Sequence, residues 1–576
     1  MYHVFDAIHS TQDLKVLSKG ELAELAAEIR SLMLTRLSAT GGHVGSNLGM
    51  IEATIALHYV FNSPQDKIVF DVSHQCYTHK LLTGRNIGGF TNPAESEHDL
   101  FSVGHASTAV SLACGLAKAR DLKEEHYNVI AVVGDGALSG GEAFEGLNCA
   151  ATLGSNLIIL VNDNDWSIAE NHGGLYKNLR LLRETDGAAP CNYFRAMGLD
   201  YCFVRDGHDT GALVDMFTGV RDTEHPTIVH ICTEKGRGYL PARNDRESWH
   251  QPGRFDLNTG VRQTEDETET YETLTRDFLA AKMRKDPTVA AITAGTPKIL
   301  GFDETLRREF PKQFIDVGIA EEHAVTLAAG IAKGGGKPVF GVSSTFLQRT
   351  YDQLSHDLGL NRLPAVILVF FAGIAQGSQT HMGIFDISMT ASIPNILCLA
   401  PTCREEYLSM LEWGLEQRER PVIIRVPGIQ TVSRDVALPS AYGQLTDYEV
   451  VEHGTTVAIL ALGKFFGLGA GVQKQLAAEH GIQATLINPR CYSALDEKTL
   501  RTLPTYGHRL IVTLEDGVLD GGFGEKVARF YSGTNIKTLC YGAKKEFVDN
   551  IPTAELYERY RLTEQQIMAD ILNELQ

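Results

Sequence analysis

The chain has 576 residues, of which 43% are hydrophobic and 21% are charged, an ordinary balance for a protein with several globular domains. Its formal net charge of −19 argues against the basic face that binds nucleic acid. Residues 1–15 lack the apolar segment of a signal peptide, and no run of about 18 apolar residues suggests a membrane span. The ten cysteines form no CxxC pair. We therefore expect a cytoplasmic enzyme with no membrane or nucleic-acid partner.

Residues 1–255 are predicted to form a first α/β domain. Helical patterns at 21–37 and 111–119 alternate with short apolar runs, VIAVV at 129–133 and LIILV at 157–161. Short apolar runs bounded by turn residues are typical of buried parallel strands. Their alternation with helices favours a doubly wound sheet.

The polar and acidic stretch 256–272 lacks periodicity, so we interpret it as a linker. Two further α/β domains are predicted at 273–435 and 445–576, because the alternation of helices with apolar runs returns in each. The expected fold class is α/β, with three consecutive domains on mainly parallel sheets. Many enzymes share such an architecture, so it does not define a function.

Polar residues follow two neighbouring predicted strands. Asp135 lies between Gly134 and Gly136 after the first, and the sequence NDN at 162–164 follows the second. Parallel strands bring such residues together at the carboxyl edge of the sheet. A carboxylate, an amide oxygen, a backbone carbonyl and diphosphate oxygens would suit Mg²⁺. A dinucleotide-binding site is a poorer match, because GDGALSGG is not GxGxxG.

Taken alone, GDG is a common turn, but GDG followed by NDN one strand–helix–strand unit later resembles the thiamine diphosphate signature. Other motifs resemble the 1-deoxy-D-xylulose-5-phosphate synthase branch of the transketolase superfamily. They are TGGHVGSNLG (40–49), FDVSHQCYTHKLLTGR (70–85), SVGHAST (102–108), TEKGRGYLPA (233–242), DVGIAEEHAVTLAAG (316–330), STFLQRTYDQLSHD (344–357) and QTHMGIFD (379–386). The resemblance covers nearly the whole chain and implies a transketolase-like fold.

The resemblance implies a cofactor site for thiamine diphosphate and Mg²⁺. The metal ligands would be Asp135, Asn164 and the backbone carbonyl of Trp166, a position where the family usually has methionine. The residues that match cofactor contacts are His74, Gly104, His105, Ala106, Gly136, Ala137, Asn164, Lys235, Tyr239, Glu321 and Phe346.

The resemblance also assigns the chemistry. In the family, a glutamate holds the aminopyrimidine ring, and Glu321 matches it; we expect it in an apolar pocket that raises its pKa. An acidic pair also suits a helix start, and Glu322, where the family usually has glutamine, is predicted to be structural. The residues expected in catalysis are Glu321, His43, His74 and His381. Those expected to contact substrate are His43, Ser46, Arg349 and His381.

The chain departs from the family pattern where the family binds the phosphate of the aldehyde acceptor. Phe371 replaces one arginine, a second arginine is missing from RVPGIQ (425–430) although Arg425 remains, and Ser343 replaces a tyrosine. Each charge-assisted hydrogen bond contributes about 1.5–3 kcal/mol. Our hypothesis is that the acceptor differs from glyceraldehyde 3-phosphate or binds differently.

The implied function is a homodimeric transferase that decarboxylates pyruvate and adds the two-carbon unit to an aldehyde, for isoprenoid and thiamine biosynthesis. One alternative is transketolase-type ketol transfer with a different or non-phosphorylated sugar. Another is a non-catalytic homologue, although the retained Asp135, Asn164 and Glu321 argue against it. This branch binds its cofactor within one chain and transketolases bind it between subunits, and the sequence leaves that choice open.

Overall fold

The computed structural model describes residues 2–263, 268–436, 438–439, 441–442 and 447–576. The chain divides into a first unit, Met1–Asp266 with Gly318–Ala320, and a second unit, Glu267–Val317 with Glu321–Gln576. The expected boundary at 445 and part of the expected linker, 264–267, lie outside the described residues. None of the described helices combines the length and apolar character needed to cross a bilayer.

The first unit begins with helix α1 (Lys19–Thr40), which Ser18 and Glu21 start with a reciprocal capping box. The other helices of this unit are α2 (Gly45–Gly49), α3 (Ile51–Val60), α4 (Tyr77–Leu82), α5 (Ala109–Leu122), α6 (Gly141–Ala150), α7 (Gly174–Glu184), α8 (Tyr193–Ala196), α9 (Thr210–Val220) and α10 (Leu240–Asn244). The strands are β1 (Lys67–Phe70), β2 (Val129–Gly134), β3 (Leu157–Asp163), β4 (Asp200–Val204) and β5 (Pro226–Cys232).

These strands form a parallel sheet in the order β1-β2-β3-β5-β4. Both faces of the sheet are covered, because alternate side chains of β2 enter two different apolar cores: Ile130 and Val132 enter one, while Val129, Ala131 and Val133 enter the other. A strand buried on both faces explains the continuous apolar run in the sequence.

The second unit contains the remaining elements. Its helices are α11 (Tyr271–Lys285), α12 (Glu304–Glu309), α13 (Glu321–Lys333), α14 (Ser344–Leu347), α15 (Tyr351–Gln353), α16 (Asp386–Thr390), α17 (Arg404–Glu416), α18 (Phe466–His480), α19 (Glu497–Thr502), α20 (Phe523–Tyr531), α21 (Thr553–Arg559) and α22 (Glu564–Leu575). Its strands are β6 (Val289–Thr293), β7 (Phe314–Asp316), β8 (Lys337–Ser343), β9 (Val366–Phe370), β10 (Leu397–Leu399), β11 (Val422–Arg425), β12 (Glu449–Glu452), β13 (Val457–Ala461), β14 (Thr485–Asn488), β15 (Leu510–Val518) and β16 (Lys537–Ala543).

The second unit has two sheets that share an apolar core. One is parallel, in the order β10-β11-β9-β8-β6-β7, and the other has the order β12-β14-β13-β15-β16 with only β12 antiparallel among its described strands. Ile367 and Val369 of β9 belong to the same buried cluster as Ala458 and Leu460 of β13. The expected α/β class with mainly parallel sheets is confirmed.

A buried ion cluster, here called the arginine clamp, also joins these two sheets. Arg425 at the end of β11 donates to Asp386 Oδ2 at 2.6 Å and to Asp516 on β15, and Lys464 lies 2.9 Å from Asp516. Burial alone would raise the pKa of Asp516, but Arg425 and Lys464 hold this pKa below its usual range. The guanidinium of Arg425 is therefore fully engaged by the carboxylates of Asp386 and Asp516.

Replacing Arg425 with methionine should leave Asp386 and Asp516 buried with too little positive charge. Removal of one partner of a buried pair costs about 3–5 kcal/mol, so urea denaturation should show a markedly lower midpoint for the second unit. Arg418→Met, at an exposed arginine, is the control. Equal midpoints for the two variants would contradict the role given to the clamp.

Candidate active site

The carboxyl ends of β2 and β3 place the GDG and NDN motifs side by side. Gly134 pairs with Asn162 in the parallel register, so the next residue of each strand, Asp135 and Asp163, also lie beside each other. Asp135 begins a single 3₁₀ turn and is 1% exposed. Asn164 follows one residue beyond Asp163. The structure thus places the two residues that the sequence predicts as metal ligands just beyond neighbouring positions at one edge of the sheet.

Asp163 is neutralised by the protein itself. His230 lies 2.9 Å from its Oδ2, and Arg183 donates to its Oδ1 at 2.5 Å. Burial alone would raise the pKa of Asp163, but these two partners hold this pKa below its usual range. Asp163 therefore stays ionised, as a fixed negative charge next to Asp135.

Asp135 has hydrogen-bond donors but no cation. Its carboxylate accepts the amide of Gly136 at 2.9 Å and the side-chain amide of Asn171 at 3.0 Å. No lysine, arginine or histidine of the described chain pairs with it within 4.0 Å. Burial, and then the charge of Asp163, raise the pKa of Asp135 well above its usual range. A bound cation would relieve this cost.

The donor set around Asp135 fits a magnesium ion that also holds a ligand. Asn164 Oδ1 accepts the amide of Trp166 at 3.1 Å, so the chain turns back tightly after β3. Among the described residues, no three His, Cys, Asp or Glu side chains form a metal site. A metal here would depend on oxygens from Asp135, Asn164 and the Trp166 carbonyl, completed by oxygens of the ligand.

Gly136 has no room for a side chain. A Cβ on it would lie 2.6 Å from the Cβ of Ser167. The carbonyl of Ser167 accepts a 2.6 Å hydrogen bond from Lys235 Nζ, and Lys235 is buried. The GDG turn, the loop after β3 and the KGRG segment are thus packed into one wall, which brings Gly136, Ala137 and Lys235 to the same region.

The SVGHAST segment is fixed to the same wall by Asp71 and Ser107. The Asp71 carboxylate accepts the amides of Ser107 and Ala109 at 2.9 and 3.0 Å, and Ser107 Oγ donates to the carbonyl of Ala137 at 2.7 Å. Ser107 has a φ of 79°, a conformation that non-glycine residues adopt only when their surroundings enforce it. This anchoring places Gly104, His105 and Ala106 beside the GDG turn.

Three histidines cluster in the first unit. The rings of His43, His74 and His250 have mutual centroid distances of 5.4–5.5 Å. The sequence motifs predict His43 and His74 but not His250, which lies in SWHQPGRF. A histidine just before a Pro-Gly turn and shortly after a predicted cofactor motif is the signal that could have identified it.

Polar atoms near this cluster lack protein partners. His74 Nδ1, His250 Nδ1 and Ser46 Oγ are buried without a hydrogen bond in the described chain. Loss of hydration, and then the charge of Lys235, lower the pKa of His74 to about 4 and that of His250 well below its ordinary value. Both rings are therefore neutral near pH 7 and have hydrogen-bonding capacity for a ligand.

Tyr239, another predicted cofactor contact, lies in an aromatic cluster. Its ring packs against Trp249 and Phe255, at centroid distances of 5.1 and 5.9 Å, and its hydroxyl donates to the carbonyl of Leu257 at 3.2 Å. These contacts make its side chain part of an aromatic core. The described hydrogen bond of the Tyr239 hydroxyl is made to the backbone of Leu257 and not to another predicted cofactor residue.

The second unit presents Glu321 at the start of α13. Its side chain is 3% exposed, its Oε2 has no hydrogen-bond partner in the described chain, and Arg349 Nη1 is 4.0 Å away. Burial raises the pKa of Glu321 to about 7, although Arg349 opposes this shift. Glu321 can therefore hold or release a proton near neutral pH, whereas Glu322 is only half-buried.

Phe346 and His381 lie together in this unit. Their rings meet edge to face at 5.6 Å, and Thr345 Oγ1 donates to the carbonyl of Thr380 at 2.9 Å. His381 Nδ1 lies 2.9 Å from Thr380 Oγ1, and burial lowers the pKa of His381 to about 4. The loop 371–383 thus carries a neutral histidine next to the predicted stacking aromatic.

The two segments in which the family carries its acceptor arginines offer no available cation at Phe371 or Arg425. Phe371 is 51% exposed, with a φ of 52° that bulky residues rarely adopt. Arg425 is held in the arginine clamp and is not available to a ligand. The loop 371–383 is seated on the clamp, because a Cβ on Gly373 would lie 2.0 Å from Asp516 Oδ2.

Comparisons with known proteins cover most of the chain. The family described as 1-deoxy-D-xylulose-5-phosphate synthase matches residues 5–190 and 184–233. The transketolase pyrimidine-binding domain matches 268–431, and the transketolase C-terminal domain matches 447–567.

Full-length relatives give the same result. A 1-deoxy-D-xylulose-5-phosphate synthase of Symbiobacterium thermophilum is 40% identical over 607 residues, covering 96% of this chain and 92% of the relative. The synthase of Pelotomaculum thermopropionicum is 38% identical over 627 residues, covering 99% and 97%. Among solved structures, transketolase from Leishmania mexicana aligns with a TM-score of 0.46 and 15% identity, covering 96% of this chain and 97% of that one.

The buried carboxyl of Glu321 predicts a pH-dependent stability of the cofactor-free protein. Its pKa is about 7 in the folded chain against an ordinary value of 4.5. Its stabilising contribution is therefore complete below about pH 4.5 and is lost as the pH rises through about 7, a change on the order of 3 kcal/mol. Glu321→Gln cannot ionise, so its thermal midpoint relative to the unsubstituted protein should be higher at about pH 8.5 than at about pH 5.

Glu322→Gln, the same change at the half-buried neighbour, is the matched control. A relative midpoint for Glu321→Gln that is the same at both pH values would show that Glu321 is not buried as a protonated acid.

Proposed function

This chain belongs to the 1-deoxy-D-xylulose-5-phosphate synthase family of transketolase-like transferases, and on that premise we propose that it decarboxylates pyruvate and joins the two-carbon unit to an aldehyde. Members of this family use thiamine diphosphate with a divalent metal such as Mg²⁺. When bound, the cofactor supplies an electron sink next to the reacting carbonyl.

One observation carries the proposal: the buried carboxylate of Asp135 pairs with no cation among the described residues and lies at the sheet edge where a diphosphate–metal complex would bind. We assign metal ligation to Asp135, Asn164 and the carbonyl of Trp166. Such a metal would also allow a protein with a net charge of −19 to hold a diphosphate. The residues present therefore fit the cofactor.

Other residues of the first unit would hold the diphosphate. Gly136 packs directly against Ser167, because a Cβ there would overlap it, and buried Lys235 supplies a positive charge close by. We assign supporting contacts to Ala137 and to the segment that Asp71 and Ser107 anchor, which contains Gly104, His105 and Ala106. The tight packing of Tyr239 supports a contact through its ring rather than through its hydroxyl.

In the second unit, Glu321 would hold the aminopyrimidine ring. Its carboxyl has an oxygen without a partner and a pKa of about 7, so it can share a proton with a ring nitrogen at physiological pH. Phe346 offers an aromatic face for the ring, and Arg349 lies close enough to Glu321 to limit how far its pKa rises.

Histidines would handle the substrates. His43, His74 and His250 form one cluster with the unpartnered hydroxyl of Ser46 close by in the chain, and His381 lies beside Phe346. A neutral imidazole can accept or donate a hydrogen bond to a carbonyl, carboxylate or hydroxyl. We therefore assign His43, His74 and His381 to catalysis, Ser46 and Arg349 to substrate contact, and add His250.

The acceptor would not be bound as the family binds it. Phe371 and Ser343 offer no charge, and Arg425 is enclosed in the arginine clamp. These observations support the hypothesis that the acceptor differs from glyceraldehyde 3-phosphate or binds through other residues.

We further propose that the protein acts in the cytoplasm as a homodimer and supplies isoprenoid and thiamine biosynthesis. The proposed domains remain 1–255, 273–435 and 445–576, joined by a linker at 256–272, and the three sheets support this division.

Release of labelled CO₂ from [1-¹⁴C]pyruvate separates this function from ketol transfer. With thiamine diphosphate, Mg²⁺ and an aldehyde, the protein should release CO₂ and form a new ketose in equal amounts. Consumption of a ketose donor without release of CO₂ would instead support the transketolase-type alternative. Absence of both reactions, together with normal cofactor binding, would support a non-catalytic homologue.

Two substitutions should separate binding from turnover. Asp135→Ala removes the predicted metal ligand, so calorimetry should show loss of thiamine diphosphate affinity at millimolar Mg²⁺. Glu321→Ala should keep Mg²⁺-dependent binding of the cofactor but lose turnover, because nothing remains to share the proton on the ring. Glu322→Gln is the control for the second change. Near-normal turnover in Glu321→Ala, or unchanged affinity in Asp135→Ala, would refute the respective assignment.

A further inference from the structure

The guanidinium of Arg246 packs on the ring of Trp166, and Arg246 is not among the residues assigned to the cofactor. The guanidinium carbon of Arg246 lies 5.6 Å from the centroid of the Trp166 ring, within the range of a cation–π contact. Arg246 is half-buried, and no carboxylate of the described chain lies within 4.0 Å of its guanidinium. The guanidinium is therefore held in place by an aromatic face while its donor edge remains free for another group.

Arg246 is connected to two features of the first unit: the loop that contains Trp166 and the histidine cluster. Trp166 is the residue whose carbonyl we assign to the metal, and its ring also lies 5.8 Å from Lys235 Nζ. Arg246 also lies one turn before His250, since the amide of Trp249 donates to the carbonyl of Asp245 at 3.1 Å and that of His250 to Glu247 at 3.2 Å. Arg246 thus contacts the loop after β3 and precedes His250 of the histidine cluster by one turn of the chain.

Asp245 and Glu234 already have other partners. Asp245 lies 3.9 Å from Arg262 and accepts the amide of Ser248. Glu234 accepts Arg243 Nε at 2.6 Å and lies 3.4 Å from Arg237. Arg246 differs from these arginines, because it is positioned without being neutralised.

The contact depends on a residue that distinguishes this chain from the family pattern. The family usually has methionine at position 166, and a methionine side chain has no aromatic face on which to hold a guanidinium. The same chain lacks the arginines that bind the acceptor phosphate in the family. This chain thus combines the gain of a fixed guanidinium at Arg246 with the loss of the family's two acceptor arginines.

We propose that Arg246, held on the ring of Trp166, is the specificity-determining residue that binds the terminal oxyanion of the aldehyde acceptor. A guanidinium matches a phosphate ester or a carboxylate through two parallel hydrogen bonds, and its planar geometry favours such groups over neutral hydroxyls. This inference rests on the proposed function and chooses between its two options: the acceptor is anionic and is bound through other residues.

The test combines binding with turnover. Glycerol 3-phosphate cannot react, so calorimetry on the protein loaded with thiamine diphosphate and Mg²⁺ measures recognition of the oxyanion alone, with glycerol as the neutral comparison. Arg246→Gln should weaken glycerol 3-phosphate by about 10- to 100-fold, the loss expected for a charge-assisted hydrogen bond. Arg246→Lys should recover part of this affinity, and Arg243→Gln, which removes an arginine that is already paired, should leave it unchanged.

Kinetics should show the same selectivity. With saturating pyruvate, Arg246→Gln should lower kcat/KM for glyceraldehyde 3-phosphate by about the same factor while changing that for glyceraldehyde less than about twofold. Equal losses for both aldehydes, an effect confined to the KM of pyruvate, or the same loss in Arg243→Gln would overturn the proposal.

Failure of this inference can be distinguished from failure of the proposed function. If the unsubstituted protein releases CO₂ from pyruvate but binds glycerol 3-phosphate no better than Arg246→Gln does, only the role of Arg246 is overturned. If binding of glycerol 3-phosphate depends on Arg246 but no CO₂ is released, the result supports the anion site and contradicts the synthase function.

Discussion

The first unit's site depends on a carboxylate that the protein buries without giving it a cation. Asp135 lies at the end of a strand enclosed on both faces, next to Asp163, and only Asp163 is neutralised by protein groups. An uncompensated carboxylate in such a place is costly, and binding of a metal together with a diphosphate would relieve this cost. Gly136 lets the turn that carries Asp135 pack directly against the loop after β3, because a Cβ there would overlap Ser167.

The remaining site groups are kept close to electrical neutrality. Burial raises the pKa of Glu321 to about 7 and lowers those of His74 and His381 to about 4, so proton exchange near neutral pH falls to the glutamate while the histidines act as neutral hydrogen-bonding groups. The arginine clamp provides a rigid support for this arrangement in the second unit. It fixes the sheet edge beneath the loop that carries His381, and in doing so it removes Arg425 from substrate binding.

Strand-level features of the site were accessible from the sequence, whereas long-range contacts were not. Apolar runs ending in GDG and NDN define a sheet edge, so the approach of Asp135 to Asn164 follows from local patterns. His250 joins the histidine cluster from a segment without periodicity, and the contact between Arg246 and Trp166 joins residues far apart in the chain. Such contacts form when loops pack against each other, so they cannot be predicted from the spacing of residues in the sequence.

The surroundings of individual side chains also could not be predicted from the sequence. The motif containing Tyr239 matches a cofactor contact, yet this tyrosine packs into an aromatic core and its hydroxyl is bonded to the backbone. Motif identity preserves the backbone path but does not specify which way each ring faces.

The most direct test of the central claim is a crystal structure with thiamine diphosphate and Mg²⁺ bound. We expect a metal about 2.1 Å from oxygens of Asp135, Asn164 and the Trp166 carbonyl; a metal that contacts none of them, with the diphosphate bound elsewhere, would contradict it.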